Sequence, residues 1–238
     1  MVKKIKTYIP GLDDLLKGGL REGASVLLTG PPGTGKTIMC IQFIIEGAKR
    51  GEPGVYITSE ETEEDIRNYA EALGFDIKMY EKKGLVTLIR QPISSKKLMS
   101  IAAPLTLIKS KNIKRVVLDS ITLFEYIHAS GEMDYRKEVL DFVLKMKESN
   151  VILLTVSEKS ISQIDDIKYE PEDFLFDGVI ILIKVRKGSS FEHCIMIEKM
   201  RGQDHLIDVF PFTIDNGGVK IFPKEIPFSL IEKDSKKF

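Results

Sequence analysis

Short apolar runs alternate along the chain with stretches in which apolar residues recur every three or four positions. Ala24 to Thr29 is a run of strand length and reads as a buried strand. Ile38, Ile41, Ile45 and Ala48 then repeat at helical spacing, which predicts a helix over Ile38 to Lys49. Gly51-Glu52-Pro53-Gly54 breaks the chain before a strand over Val55 to Thr58. Thr62-Glu63-Glu64-Asp65 has the form of a capping box with acid in the first turn, so a helix is predicted from there to about Leu73, stopped by Gly74. Strands follow at Leu85 to Ile89, Arg115 to Asp119 and Val151 to Val156. Between them lie helices at Lys96 to Lys109, with Pro104 an awkward position, and at Tyr135 to Lys147. The second of these helices carries Val139, Leu140, Phe142, Val143 and Met146 on one side. Strand and helix in alternation predict an α/β fold, a mainly parallel sheet flanked by helices.

The last third loses the helices. Val179 to Arg186, His193 to Lys199 and Val219 to Phe222 read as strands, and Gly188-Ser189-Ser190 is a hairpin turn between the first two. An antiparallel C-terminal extension of the same sheet is expected. The whole of 1–238 reads as one domain, with 1–23 as a lead-in and 228–238 as a charged tail expected to fray. There is no internal repeat, low-complexity tract or linker.

Composition narrows the class. A chain of 238 residues that is 43% hydrophobic can build a substantial core. Lys+Arg and Asp+Glu are equal at 35 each, so bulk charge does not draw the chain to nucleic acid. The densest apolar run, Val179 to Ile183, is too short to span a bilayer. Met1 to Lys6 is basic, but no apolar segment follows it as in a secretory leader. Cys40 and Cys194 form neither a CxxC pair nor a disulfide framework. A soluble cytoplasmic protein with no membrane contact is expected.

The chemistry is concentrated at the predicted strand ends. Gly30-Pro31-Pro32-Gly33-Thr34-Gly35-Lys36-Thr37 fits GxxxxGK[ST] between a strand and a helix. Gly30, Gly33 and Gly35 let the backbone approach phosphates, and the loop N–H groups, those around Pro32 and Thr34 included, supply positive dipole. Lys36 is expected to reach the β- and γ-phosphates of ATP, and the Thr37 hydroxyl to ligate Mg2+. Asp119 closes the strand Arg115 to Asp119, the place for a second Mg2+ ligand. Glu60-Glu61 follows another strand; the pair either orients the attacking water or merely opens the next helix. Lys199, Arg201 and His205 end a strand and enter a Gly-containing turn. Taken alone, they read as a solvated basic strand end. His128 and His193 have no ligand-like neighbours in the sequence.

Together these residues resemble the KaiC-like branch of the RecA superfamily of ATPases. The resemblance runs from Thr7 to Pro223. It rests on Thr7-Tyr8-Ile9-Pro10-Gly11-Leu12-Asp13, the P-loop, Glu60-Glu61-Thr62, Val116-Val117-Leu118-Asp119-Ser120, Lys199-Met200-Arg201-Gly202 with His205, and Pro211-Phe212-Thr213-Ile214. It implies a RecA-like core with ATP at the interfaces of a homo-oligomer, commonly a hexameric ring. It implies that Glu60 is the catalytic base, with Glu61 beside it. It also implies that Lys199, Arg201 and His205 reach the ATP of a neighbouring subunit. The cyanobacterial clock proteins of this branch carry two such domains and phosphorylation sites, so clock function does not transfer to a single domain. Recombinases of the superfamily carry Gln after the strand equivalent to Val151 to Val156. Here Glu158 and Lys159 follow it, and the stretch to Asp173 is rich in acid, including Asp165, Asp166, Glu170 and Glu172. Such a stretch suits a phosphate backbone poorly. A slow Mg-dependent ATPase acting on a protein partner is the first expectation, and a recombinase paralogue that binds single-stranded DNA is the second.

Overall fold

The computed structural model describes residues 3–91, 102–121, 124, 135–159, 161, 169–228 and 230. A small ribbon, β1 (Lys4–Ile5) with β2 (Leu20–Arg21), and a short helix α1 (Leu12–Leu15) form the lead-in. The main body follows as β3 (Ser25–Gly30), α2 (Lys36–Ala48), β4 (Gly54–Thr58), α3 (Glu63–Ala72), α4 (Ile77–Lys82), β5 (Val86–Arg90), α5 (Ala102–Ser110), β6 (Arg115–Asp119), α6 (Tyr135–Glu148) and β7 (Ile152–Glu158). After a 3-10 turn at Pro171–Phe174 come β8 (Gly178–Lys187), β9 (Ser190–Met200), β10 (Phe210–Asp215) and β11 (Gly218–Ile221).

One nine-stranded sheet runs in the order β11-β10-β9-β8-β3-β7-β6-β4-β5. From β8 to β5 every pairing is parallel, and β9, β10 and β11 each run antiparallel to their neighbours. This is the α/β RecA-type architecture expected, antiparallel extension included. Register sends the functional residues to one edge: Gly30 lies beside Glu158, and Thr58 beside Asp119. In an open parallel sheet that carboxyl edge is where ligands bind.

Strand periodicity divides the core into two layers. Tyr56, Val117 and Leu154 face one side, against α1, α2 and α3. Val55, Val116, Leu118 and Leu153 face the other, against α5 and α6. The helix after the P-loop is buried almost all round, from Met39 to Ala48 except for Glu46. Its outer side is covered by the C-terminal hairpin. Gln42 holds β11 by two buried bonds, donating to the Val219 carbonyl at 3.1 Å and accepting from the Val219 N–H at 2.7 Å.

Several local expectations hold with small shifts. Thr62 accepts from the Asp65 N–H at 3.1 Å and Asp65 accepts from the Thr62 N–H at 2.9 Å, so the capping box is real. The hairpin turn falls at Gly188–Ser189, between paired Lys187 and Ser190. Pro104 lies within α5. The first part of the helix expected at Lys96 to Lys109 and most of the tail at 228–238 lie outside the described residues, as do Asp165 and Asp166. Leu140 is a correction: it is 38% exposed, because only Val139, Phe142, Val143 and Met146 keep the i, i+3, i+4, i+7 spacing. Strand β10 and helix α4 do not stand out in the sequence pattern. Pro211 interrupts the first, and the six residues of the second are too few to show a period.

At the amino edge of the sheet, buried Asp177 ties four elements together. It accepts from Ser25 N–H at 3.2 Å and from Lys147 Nζ at 3.1 Å, and pairs with Arg21 at 3.3 Å. Burial pushes its pKa up, but the Ser25 and Lys147 hydrogen bonds and the Arg21 charge outweigh this, and the net shift is downward. A carboxylate with a lowered folded-state pKa stabilises the fold above its unfolded pKa, and that contribution is lost as pH falls through the folded value. Denaturant titrations should show Asp177→Asn weakening the fold at pH 7 by about 2 kcal/mol, the scale of charged hydrogen bonds. The difference from the wild type should shrink as pH falls below about 4. A difference that stays constant down to pH 2 would contradict the assignment.

Candidate nucleotide-binding site

The loop after β3 turns sharply because its glycines permit it. Gly30, Gly33 and Gly35 have φ of 145°, 72° and 97°, all in the region that side chains rarely adopt. Gly30 also has no room for a side chain: a Cβ there would lie 1.9 Å from the Leu182 carbonyl oxygen of β8. A Cβ on Gly35 would lie 2.6 Å from Ile214 Cδ1, so the antiparallel extension packs directly on the loop. Thr34 is buried, and its hydroxyl donates to the Pro31 carbonyl at 2.8 Å, which closes the loop on itself.

Lys36 opens α2 and is only 6% exposed. Its ammonium curls back onto the loop, donating to the carbonyls of Gly30 at 2.8 Å and Pro31 at 3.0 Å, with Glu158 at 3.9 Å. Burial lowers its pKa, and the charges of Glu158 and Asp119 work against that shift. Thr37 donates to Asp119 Oδ2 at 3.0 Å. The phenol of Tyr56, on β4, donates to the same oxygen at 2.6 Å. Burial raises the Asp119 pKa, and the Tyr56 and Thr37 hydrogen bonds oppose it.

Glu60 and Glu61 stand across the cavity, just past β4. Ser120, the residue after Asp119, donates to Glu60 Oε1 at 3.1 Å. Glu61 Oε2 accepts from the Tyr69 hydroxyl of α3 at 3.3 Å. The cavity they share with Pro32, Lys36, Thr37, Asp119 and Glu158 has a volume of about 370 Å³. Both glutamates line the cavity, and Thr62 is the residue that caps α3. Oxygen donors of this kind, one carboxylate and one hydroxyl beside a phosphate cradle, suit Mg2+. Among the described residues no cluster of three His, Cys, Asp or Glu forms a metal cage. A cation here would lean on Thr37, Asp119 and the ligand's own phosphates.

Lys199, Arg201 and His205 are placed elsewhere. None of them lines the cavity. Lys199 pairs with Val179 at the start of β8, level with Leu27. That is three residues from Gly30, roughly 10 Å along the strand. Its ammonium donates to the Asp173 carbonyl and lies 5.8 Å from the centre of the exposed Phe174 ring. Arg201 is exposed, and His205 is half-buried with Nδ1 2.9 Å from the Leu206 carbonyl.

The family described as "ATPase: KaiC" matches residues 5–226. The chain belongs to the KaiC ATPase family. It is 34% identical to the circadian clock oscillator protein KaiC of Nostoc sp., over 93% of this chain and 44% of that protein. It is 33% identical to KaiC of Synechococcus elongatus, again over 93% of this chain and 44% of that protein. The chain thus spans less than half the length of these curated relatives. A KaiC-like protein from the hyperthermophilic archaeon Pyrococcus horikoshii has a similar solved structure. Its TM-score is 0.79 at 32% identity, covering 94% of this chain and all of that one.

Sequence reading missed Tyr56 and Tyr69 as site residues. Tyr56 sits in an otherwise aliphatic strand, and only the pairing of β4 with β6 brings its hydroxyl to Asp119. Tyr69 comes to Glu61 through the cap at Thr62, which sets the direction of α3.

Gly30→Ala tests the loop. The substitution meets both a positive φ and the Leu182 carbonyl, so it should destabilise the fold by about 3 kcal/mol or more. It should also abolish binding of a fluorescent ATP analogue. Unchanged melting and binding would show that the β3–β8 approach is not as close as described.

Proposed function

We propose that this chain is a slow Mg-dependent ATPase, ATP and water giving ADP and phosphate. The whole of 1–238 acts as one KaiC-type domain, which works in the cytoplasm as a homo-oligomeric regulator or remodeller of a protein partner. The reading is carried by one arrangement: Lys36, Thr37 and Asp119 meet Glu60 and Glu61 around a single cavity at the carboxyl edge of the sheet. Lys36 exchanges its loop carbonyls for β- and γ-phosphate oxygens. Thr37 turns its lone pairs, and Asp119 its carboxylate, to the cation. Thr37 and Asp119 would hold Mg2+, which would supply neutralisation of the phosphate charge. Glu60, steadied by Ser120, orients the attacking water and accepts its proton, and Glu61 orients the water from the Tyr69 side. Among the described residues no helix is long and apolar enough to cross a membrane.

A DNA-binding recombinase paralogue fits less well. Lys159, a cation of the stretch that would face DNA, is buried and paired with Asp173.

Isothermal titration with Mg-ATP should show Lys36→Ala losing tight binding. Glu60→Gln should bind as the wild type does but turn over ~10²-fold more slowly, the scale for losing a positioned base. Equal phosphate release from wild type and Glu60→Gln would assign the water to another group.

Lys199, Arg201 and His205 are away from their own cavity, which supports a role at a neighbour's triphosphate in a ring, the hexamer being the expected form. A cation supplied in trans links turnover to assembly. Mixing inactive Lys36→Ala with inactive Arg201→Ala should then restore part of the activity, because some interfaces combine an intact P-loop with an intact Arg201. Mixed oligomers that remain inactive would put Arg201 outside the reaction.

A further inference from the structure

We infer that Tyr56 is a positioning residue for the divalent cation, holding the Asp119 carboxylate so that its second oxygen faces the metal. The inference rests on the proposed Mg-ATP site and adds to it a residue outside the phosphate loop.

The geometry begins with strand parity. Tyr56 pairs with Val117, and Asp119 lies two residues further along β6, on the same face as Val117. The Tyr56 ring is therefore buried under α2, only 1% exposed, and its hydroxyl extends toward the carboxyl edge. There it donates to Asp119 Oδ2 at 2.6 Å, shorter than the 3.0 Å bond from Thr37 to the same oxygen. Two hydroxyl protons converge on Oδ2. Among the described residues no hydrogen bond falls on Oδ1. A carboxylate gripped in this way has one rotational setting and presents one oxygen.

The two donors differ in what a cation does to them. Thr37 is on the loop side and is itself a candidate ligand, so its geometry shifts when its lone pairs engage a metal. Tyr56 is locked in the core between β4 and α2 and has no such second task. Its contact to Oδ2 persists whether or not a nucleotide is bound. An aliphatic residue or Phe at position 56 would satisfy the same packing, so the hydroxyl is what needs explaining. Its partner explains it, since an unpartnered buried phenol would be costly and this one is bonded to a carboxylate.

The variant is Tyr56→Phe, which removes one oxygen and keeps the ring. A fluorescent ATP analogue is titrated into wild type and variant across a range of Mg2+ concentrations and also in EDTA. The Mg2+ concentration for half-maximal enhancement of binding should rise roughly tenfold or more in Tyr56→Phe, the usual scale for losing an outer-shell partner. Affinity in EDTA should stay the same. The ratio of the two affinities within each protein cancels any general loss of fold. In an Asp119→Asn background, adding Tyr56→Phe should change the Mg2+ response little. If the wild type responds to Mg2+ and Tyr56→Phe responds at the same concentration, the inference is overturned and the site stands. If the variant loses affinity equally with and without Mg2+, Tyr56 serves packing only, and the inference is overturned again. A wild type whose nucleotide binding ignores Mg2+ overturns the Mg-ATP reading itself.

Discussion

The guanidinium of Arg115 is the contact on which the rest of the molecule is hung. It is fully buried at the start of β6, and its three nitrogens make four hydrogen bonds and an ion pair. Nε and Nη2 hold the Glu52 carboxylate at 2.8 and 2.6 Å. Nη1 reaches the carbonyls of Phe43 at 2.8 Å and Thr7 at 3.1 Å, and Nη2 reaches that of Lys6 at 2.8 Å. One side chain therefore joins the lead-in, the middle of α2, the turn before β4 and the base of β6. Burial lowers its pKa and Glu52 opposes the shift. The neighbourhood is shaped around it: a Cβ on Gly47 would sit 2.3 Å from Arg115 Nε. A buried ion pair adds little net stability over an apolar substitute, but losing one partner is severe because the other stays behind. What the arrangement secures here is orientation. Thr37 is on α2 and Asp119 ends β6, and these are two of the elements that Arg115 clamps.

Toward the carboxyl edge the same strand enters a crowd of charge. Asp119 is desolvated, and Glu60 adds to the pressure on its ionised form, while Lys36, Thr37 and Tyr56 relieve it. Lys36 is desolvated in turn, with Glu158 and Asp119 as its counter-charges. A site held in this balance has few spare donors and acceptors. An incoming triphosphate with its cation brings both signs at once and can be accepted without leaving either group alone.

The antiparallel extension does more than lengthen the sheet. Ile214 touches the phosphate loop, and Val219 holds Gln42 of the helix behind it. On the other face, Asp173 joins two segments. Its carboxylate pairs with buried Lys159, next to Glu158, and its carbonyl takes the ammonium of Lys199. Lys199, one of the residues expected to meet a neighbour, is thus connected to the end of β7, where Glu158 lines the cavity.

Much of this was legible in the chain itself. GxxxxGK[ST] between a buried strand and a helix requires glycines for positive φ and a lysine for phosphate, so local chemistry marks the cradle. The alternation of apolar runs with helical periods determined the α/β class, and the loss of helices after Val179 marked the antiparallel extension. Thr62 and Asp65 carried their capping box within four residues. Pairing across the sheet could not be read this way. Side-chain parity says which face Tyr56 takes, but not that β4 lies beside β6, so its bond to Asp119 belongs to the tertiary structure. The same holds for Arg115, a lone basic residue at the head of an apolar strand, whose four partner residues come from three separate parts of the chain. Lys159 shows the limit most plainly. Its sequence neighbours mark an acid-rich stretch but do not say which acid it meets, and burial pairs it with Asp173 fourteen residues away. Local pattern is set by covalent neighbours and solvent; which distant groups share a buried charge is set only when the layers close.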